Sequence, residues 1–303
     1  FLEVDGLPVV TRVVMALDKS NSISEIYVIG PGETPREALT SERSGARIDK
    51  PVHIIEQRQS IYENMWNAYL ETLPSYRRGE SVETIEKGPE ADTVALGVAA
   101  DMPLLSGAEV DEFVSKCDMD RYDYVLGVTQ EEDLRHYYAG GGRPGIRLAY
   151  LHFREGNLRQ NNMHMVRPFK ILNRYYIQTM YDLRYQKEFG NMARLAWEIL
   201  NKEEGGWGTL GNYLLMQLSL RFARLHLGFM RDFVRRRTHV DSVVECISKL
   251  LKTRFAIAHT SFGGATLDID NEHEYEVIKQ RFSEWMNHQE ERARKLSLGV
   301  GSH

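Results

Sequence analysis

Cysteine is nearly absent: the 303 residues hold two, Cys117 and Cys246, far apart and in no CxxC pair. That excludes a disulfide scaffold and a thiolate zinc site. No run of about 18 uninterrupted apolar residues occurs, which argues against a membrane-spanning helix. The ten histidines show no HExxH spacing, so a zinc enzyme of that kind is disfavoured. No G-x-S-x-G elbow or Cys–His signature marks a nucleophile, and there is no internal repeat or low-complexity segment. Excess positive charge is missing too. Lys and Arg number 38 against 43 Asp and Glu, a net charge of -5, with an isoelectric point near 6.1. A general nucleic-acid binder would be basic, so nucleic acid is not an expected partner. What remains is ordinary for a globular chain of 34.9 kDa, large enough for one large domain or two small ones. Aromatics at 10% rule out wholesale disorder. The composition predicts a cytoplasmic protein, with no secretory leader in view.

The first third alternates strand and helix patterns. Residues 8–17 (PVVTRVVMAL) have helical apolar spacing, with Pro8 suited to the first turn. Residues 26–29 (IYVI) and 52–55 (VHII) read as short strands. Ser60 with Glu63 predicts a capping box opening a helix. Residues 93–99 (TVALGVA) are wholly apolar, the pattern of a strand covered on both faces. Ser106 with Glu109 predicts another helix start, and residues 122–128 (YDYVLGV) a fourth strand. Such alternation predicts a parallel α/β sheet with helices on both faces and ligands beyond the carboxyl ends of the strands. Residues 146–153 and 260–270 read as strands, and the pattern from 169 to 252 is helical. Asn271 with Glu274 predicts a helix over 271–285, followed by a fraying charged tail. The run Gly140-Gly141-Gly142-Arg143-Pro144-Gly145 lacks the helix start and the Lys or Ser/Thr of a phosphate loop, and reads as a plain loop.

Three groups of residues could carry chemistry. Asp101, at the end of the apolar third strand and two residues before Pro103, suits a hard divalent cation that takes few carboxylates and fills its shell with phosphate oxygens. A turn or capping Asp is the bland alternative. Asp268 and Asp270 alternate at the end of a predicted strand, so both would face one side and repel unless a cation sits with them. Arg159, Gln160, Asn161 and Asn162 follow a strand; a guanidinium with carboxamides can bind phosphate or sugar hydroxyls, as it can form an ordinary polar turn.

In this order the motifs resemble the nucleotidyltransferase superfamily with the GT-A-like fold, especially its molybdenum-cofactor and sugar-phosphate nucleotidyltransferase members. Residues 1–10 (FLEVDGLPVV) resemble the segment just after that family's Gly-rich signature loop. Residues 60–68 (SIYENMWNA) resemble its Ser-x-x-x-Asn helix, 98–105 its Asp-x-Pro strand end, and 267–275 (LDIDNEHEY) its closing acidic segment, with Asn271-Glu272-His273-Glu274 in place of Thr-Pro-Glu-Asp. The likeness covers the first 130 residues and 260–285. It implies a Rossmann-like α/β core with a mostly parallel sheet over residues 1–169 and 253–286, a large helical insertion over 170–252, and a tail over 287–303 that could include a tag linker. The signature loop itself would precede Phe1.

The resemblance implies Mg²⁺-dependent transfer of a nucleoside monophosphate from an NTP to a phosphorylated small molecule, a sugar, polyol or lipid-head-group phosphate, with release of pyrophosphate. Asp101 and Asp270 would be catalytic metal ligands with Asp268 beside them. Ser60, Asn64, Gly6 and Pro8 would lie at the nucleotide, and Arg159, Asn161 and Asn162 at the acceptor. A GT-A glycosyltransferase using a sugar nucleotide, or a non-catalytic nucleotide-binding protein, are the alternatives. The single acid of Ala99-Ala100-Asp101 counts against the glycosyltransferase, whose members carry acid-x-acid there.

The insertion has its own pattern. Leu210, Leu214, Leu218, Phe222, Leu225, Phe229 and Phe233 form an apolar stripe. Between Thr209 and Arg237, six arginines (Arg221, Arg224, Arg231, Arg235, Arg236, Arg237) meet one acid, Asp232. Such a helix could touch an anionic membrane surface through the Arg221–Arg237 stretch, or pack in its own lobe with a solvated basic face; the lobe could also serve homo-oligomerisation.

Overall fold

A computed structural model describes residues 2–40, 47–174, 176–178 and 239–299. The apolar stripe and the Arg221–Arg237 stretch lie outside the described residues. The chain opens with a two-stranded hairpin, β1 (Glu3–Val4) and β2 (Leu7–Pro8). Its turn residues Asp5 and Gly6 both have positive φ, 48° and 75°, the combination that matches the twist of a two-residue hairpin. Pro8 then leads into helix α1 (Val9–Lys19), which buries Val9, Val13, Val14, Ala16 and Leu17.

Strand β3 (Ile26–Gly30) pairs in parallel with β4 (Val52–Glu56), with helix α2 (Thr34–Thr40) between them in sequence. Helix α3 (Ile61–Thr72) and two short helical turns, α4 (Pro74–Arg77) and α5 (Val82–Glu86), lead to β5 (Ala95–Val98). Helix α6 (Gly107–Lys116), strand β6 (Tyr124–Gln130), the turn α7 (Glu131–Leu134), and the hairpin β7 (Leu151–Phe153) and β8 (Gly156–Val166) follow. Helix α8 (Val240–Leu251), strand β9 (Phe255–Thr260) and the long helix α9 (Glu272–Gly299) complete the described chain.

The fold is mixed α/β, and its sheet departs from the expected plan in an instructive way. Among the described residues β3 and β4 form a sheet of two, while five strands form another in the order β5–β8–β6–β9, with β7 on β8. β6 runs parallel to β9, and β8 runs antiparallel to β5, β6 and β7. Four strands of five therefore point one way. One reversed strand in the middle makes most neighbouring pairs antiparallel. Both sheets share a core: Val13 and Val14 of α1 and Ile26 and Val28 of β3 pack with Phe113 of α6, Val125 of β6 and Met163 of β8.

Several expectations need correction. Among the described residues β5 pairs with β8 alone, so it stands at the edge of its sheet and not between two parallel strands; its four residues are half-buried, Leu96 and Val98 packing into the main core on one face and Ala95 against Tyr69 and Phe169 on the other. Residues 146–150 belong to no strand, and Ile146 donates its N–H to the Tyr137 carbonyl at 2.9 Å. Residues 261–270 leave β9 through a tight turn (Gly263 φ 87°) and the short 3-10 helix Gly264–Thr266, so they are not a strand. Residues 159–162 lie inside β8, not in a turn. The chain beyond Asn287 does not fray, since α9 runs on to Gly299. Gln289, almost fully buried, donates Nε2 to the Leu104 carbonyl at 2.7 Å, and Arg292 reaches Asp133 at 2.8 Å.

The register of β6 on β8 slips between Leu126 and Val128. Gly127 is the reason. A Cβ there would stand 1.9 Å from Asn161 Oδ1, so the buried carboxamide occupies the space a side chain would need. Gly127→Ala is expected to cost about 1–3 kcal/mol by overpacking, read from the denaturant midpoint; an unchanged midpoint would refute this account of the slip.

Candidate active site

The carboxyl end of β5 is held by Ala99, whose N–H donates to the Asn162 carbonyl at 3.3 Å. Asp101 follows, exposed, while the neighbouring Met102 and Leu104 are fully buried and anchor the turn. The Asp101 carbonyl accepts the Ile269 N–H at 3.1 Å. A residue in the first half of the chain is thus joined to the acidic segment 268–270 near its end.

The three acids are not equivalent. Without a strand, Asp268 and Asp270 do not share a face. Asp268 is mostly buried (side chain 11% exposed) and pairs with Arg159 Nη2 at 3.1 Å. Asp270 is exposed, and its N–H donates to Glu274 Oε2 at 3.1 Å. Asn271 caps α9 as expected, its Oδ1 accepting the Glu274 N–H at 3.0 Å. Arg159 uses its whole fork: Nε on the Thr266 carbonyl at 2.9 Å, Nη1 on the Ala149 carbonyl at 3.3 Å, and Nη2 on Asp268. The fork locks the acidic segment onto β8.

Glu109 holds the other side of that segment. It is fully buried, and its carboxylate accepts the N–H groups of Gly263 at 3.1 Å and Ala265 at 3.0 Å. Burial pushes its pKa up to about 8; the backbone donors of Ala265 and Gly263 oppose that and the charge of Glu112 adds to it. Ser106 Oγ still caps α6 on the Glu109 N–H at 3.3 Å. The Glu109 carboxylate, expected to complete that box, reaches instead across 154 residues of sequence.

The remaining candidates spread out. Ser60 makes both halves of its capping box with Glu63, at 3.1 Å each. Asn64 Oδ1 accepts the Arg58 N–H, and the neighbouring Met65 lies over Gly97 of β5. A solvent-open cleft of about 390 Å³ lies between the β3–β4 pair and α3, with Tyr27, His53, Arg58, Asn67 and Arg77 in its lining. It adjoins Asn64 through Arg58. Gly6 and Pro8 shape the opening hairpin, which Tyr275 Oη ties to the first turn of α9 through the Glu3 carbonyl at 2.8 Å.

Asn161 requires a correction. It is fully buried, donating Nδ2 to Thr260 Oγ1 at 2.8 Å and accepting the Met163 N–H at 3.3 Å. Alternation along β8 puts Asn162 on the face opposite Arg159 and Asn161, so the three do not form one acceptor surface. Of them, only Arg159 joins the acids.

Among the described residues no group of three or more His, Cys, Asp or Glu is placed to hold a metal ion, and no helix is long and apolar enough to cross a membrane. A Mg²⁺ ion does not need such a cage, because it keeps waters and phosphate oxygens and takes one or two carboxylates. Asp101 and Asp270, both exposed and on segments joined by the backbone bond from Ile269 to Asp101, are of the residue type that donor set needs. Asp268, bound to Arg159, does not.

Comparison with solved structures finds the same fold in a protein described as a hypothetical transferase from Thermus thermophilus, with a TM-score of 0.55 and 16% identity over 90% of this chain and 88% of that one. At that identity the likeness is one of fold alone. No protein-family model matches the chain, and no curated protein matches it.

Proposed function

We propose that the chain is a nucleotidyltransferase that moves a nucleoside monophosphate from an NTP to a phosphorylated small molecule. The observation that carries this reading is the joining of Asp101 to the 268–270 segment through the Ile269 N–H. It ties the segment of one exposed acid, Asp270, to another, Asp101, that follows the end of β5, and strand ends are where open α/β sheets receive ligands. The fold shared with a hypothetical transferase supports it. An acceptor phosphate oxygen attacks the α-phosphorus, a new P–O bond forms, the α–β phosphoanhydride breaks, and pyrophosphate leaves. Magnesium, when bound, supplies charge neutralisation on the phosphates. The protein's part is positioning. Asp101 and Asp270 are assigned to the cation, and Ser60 and Asn64 to the nucleotide, beside the cleft that Arg58 and Arg77 flank. Arg159 is assigned to the acceptor side, with Asp268 orienting its fork.

The test is pyrophosphate release with Mg²⁺, each of the four NTPs and a panel of sugar, polyol and lipid-head-group phosphates. Release that requires one NTP and one acceptor together is expected. NTP binding by calorimetry with no release from any pair would overturn the reading.

A further inference from the structure

A pocket of about 240 Å³ opens between α1, the first turn of α6 and the middle of α9, with Met15, Lys19, Pro103, Leu105, Phe282 and Gln289 in its wall. None of the three acids lines it, and it is separate from the cleft beside α3. Its apolar wall includes Phe282 and the thioethers of Met15 and Met286, groups that pack well against an aromatic ring. A cavity of about 150 Å³ holds benzene, so this one has room for a single substituted ring.

Two features give the pocket its polarity. The first is the start of α6, a helix of ten residues. Ser106 Oγ caps the Glu109 N–H, while the N–H groups of Gly107 and Ala108 have no acceptor among the described residues. Such a helix start favours an anion. Lys19, the last residue of α1, adds a positive charge with no hydrogen bond or ion pair among the described residues. Glu290, the acid in the wall, is engaged by Arg294 at 3.7 Å. The second feature is Gln289, only 1% exposed. Its Nε2 donates to the Leu104 carbonyl at 2.7 Å and to Tyr137 Oη at 3.2 Å; Tyr137 has given its own hydrogen to the Phe262 carbonyl at 3.0 Å. Both amide hydrogens are used, and a flipped amide would set oxygen against the Leu104 oxygen. Leu104 and Tyr137 are not in the pocket wall, so Gln289 turns its nitrogen away from the pocket and its oxygen the other way. That Oε1 has no partner, and a buried acceptor without a donor is costly.

We propose that this pocket binds a small aromatic carboxylate bearing a ring hydroxyl, with the ring against Met15, Met286 and Phe282, the carboxylate at the start of α6 and Lys19, and the hydroxyl donating to Gln289 Oε1. Each part of the ligand answers one observation. An acid without the hydroxyl leaves the Gln289 oxygen empty. A phenol without the acid leaves the helix start and Lys19 unmatched. Pro103 and Leu105, in the pocket wall, follow Asp101 in the same turn, so occupancy bears on the segment that carries the first acid. The site stands whether or not the chain transfers nucleotides.

Methyl NMR of the full chain with isotope-labelled methionine reads the pocket directly, because Met15→Leu and Met286→Leu assign the two signals in its wall. The probes are para-hydroxyphenylacetate, phenylacetate and para-hydroxyphenylethanol, added with no NTP present. Saturable shifts of the Met15 and Met286 methyls are expected with para-hydroxyphenylacetate. The other two probes, each lacking one polar group, should bind about tenfold more weakly, the scale of one hydrogen bond. Lys19→Gln should weaken para-hydroxyphenylacetate by about tenfold and leave para-hydroxyphenylethanol unchanged. Its thermal midpoint should match the wild type, since Lys19 is exposed and holds no other described residue. No shift of either methyl, shifts confined to other methionines, equal binding of phenylacetate, or wild-type affinity in Lys19→Gln would each overturn the proposal.

Discussion

Glu109→Ala is expected to lower folding stability by about 3–5 kcal/mol, because it leaves two buried N–H groups without acceptors and opens a cavity. Gly263 and Ala265 are buried and donate to this carboxylate. A loss of that size is a large part of the roughly 5–15 kcal/mol that holds a domain together. Glu109→Gln should cost less, about 1–3 kcal/mol, because one carboxamide oxygen still accepts while its NH₂ faces a donor. Chemical denaturation of both variants checks the order, and equal losses would show that volume rather than hydrogen bonding holds the turn.

The same residue predicts a pH dependence. Its folded pKa, raised to about 8 by burial, lies above the ordinary value for an unfolded glutamate. The native state thus holds the proton more tightly than the unfolded one. Stability from this source is fully present below the unfolded pKa and is lost as pH rises through about 8. Thermal midpoints should fall for the wild type between roughly pH 5 and 9, and fall less for Glu109→Gln. A steeper decline in the variant would refute the assignment.

Glu109 also shows what the sequence can and cannot disclose. Ser60 with Glu63 and Asn271 with Glu274 were readable because a cap is settled within one turn. Ser106 with Glu109 has the same spacing, yet the second carboxylate found better donors across the fold. Asp101 was readable because an apolar run ending in Asp-x-Pro marks a strand end from local residues alone. The 268–270 segment was misread, since alternation of Asp, Ile and Asp is as compatible with an irregular chain pinned by Arg159 as with a strand. Nothing local distinguishes the two; the Arg159 contact spans 109 residues. The buried Asn161 was hidden for a like reason, because its space is created by Gly127 on the neighbouring strand. The β7–β8 hairpin had a usable signal, since a turn at 154–155 pairs His152 with Asn157. It was passed over because 159–162 were weighed as a phosphate- or sugar-binding fork or a polar turn, and not as strand.

Asp101→Asn is expected to reduce pyrophosphate release by roughly 10²–10³-fold, the scale seen when one electrostatic contact to a transition state is removed. NTP binding should weaken far less, since Ser60, Asn64 and the cleft are untouched. The contrast with Asp268 gives the prediction its discrimination. Asp268 is bound to Arg159 at 3.1 Å and mostly buried, so Asp268→Asn keeps an acceptor for the guanidinium and loses only the charge. Its expected effect is a higher KM for the acceptor with a modest change in kcat, because a loosened Arg159 fork positions the acceptor less well without altering charge at Asp101 and Asp270. Steady-state kinetics with the acceptor varied at saturating NTP separates the two. If Asp268→Asn lost more kcat than Asp101→Asn, Asp268 would be the cation ligand and its pairing with Arg159 a resting arrangement that substrate opens. If neither variant changed kcat, the acids would be structural and the reaction would have to be sought elsewhere on the fold.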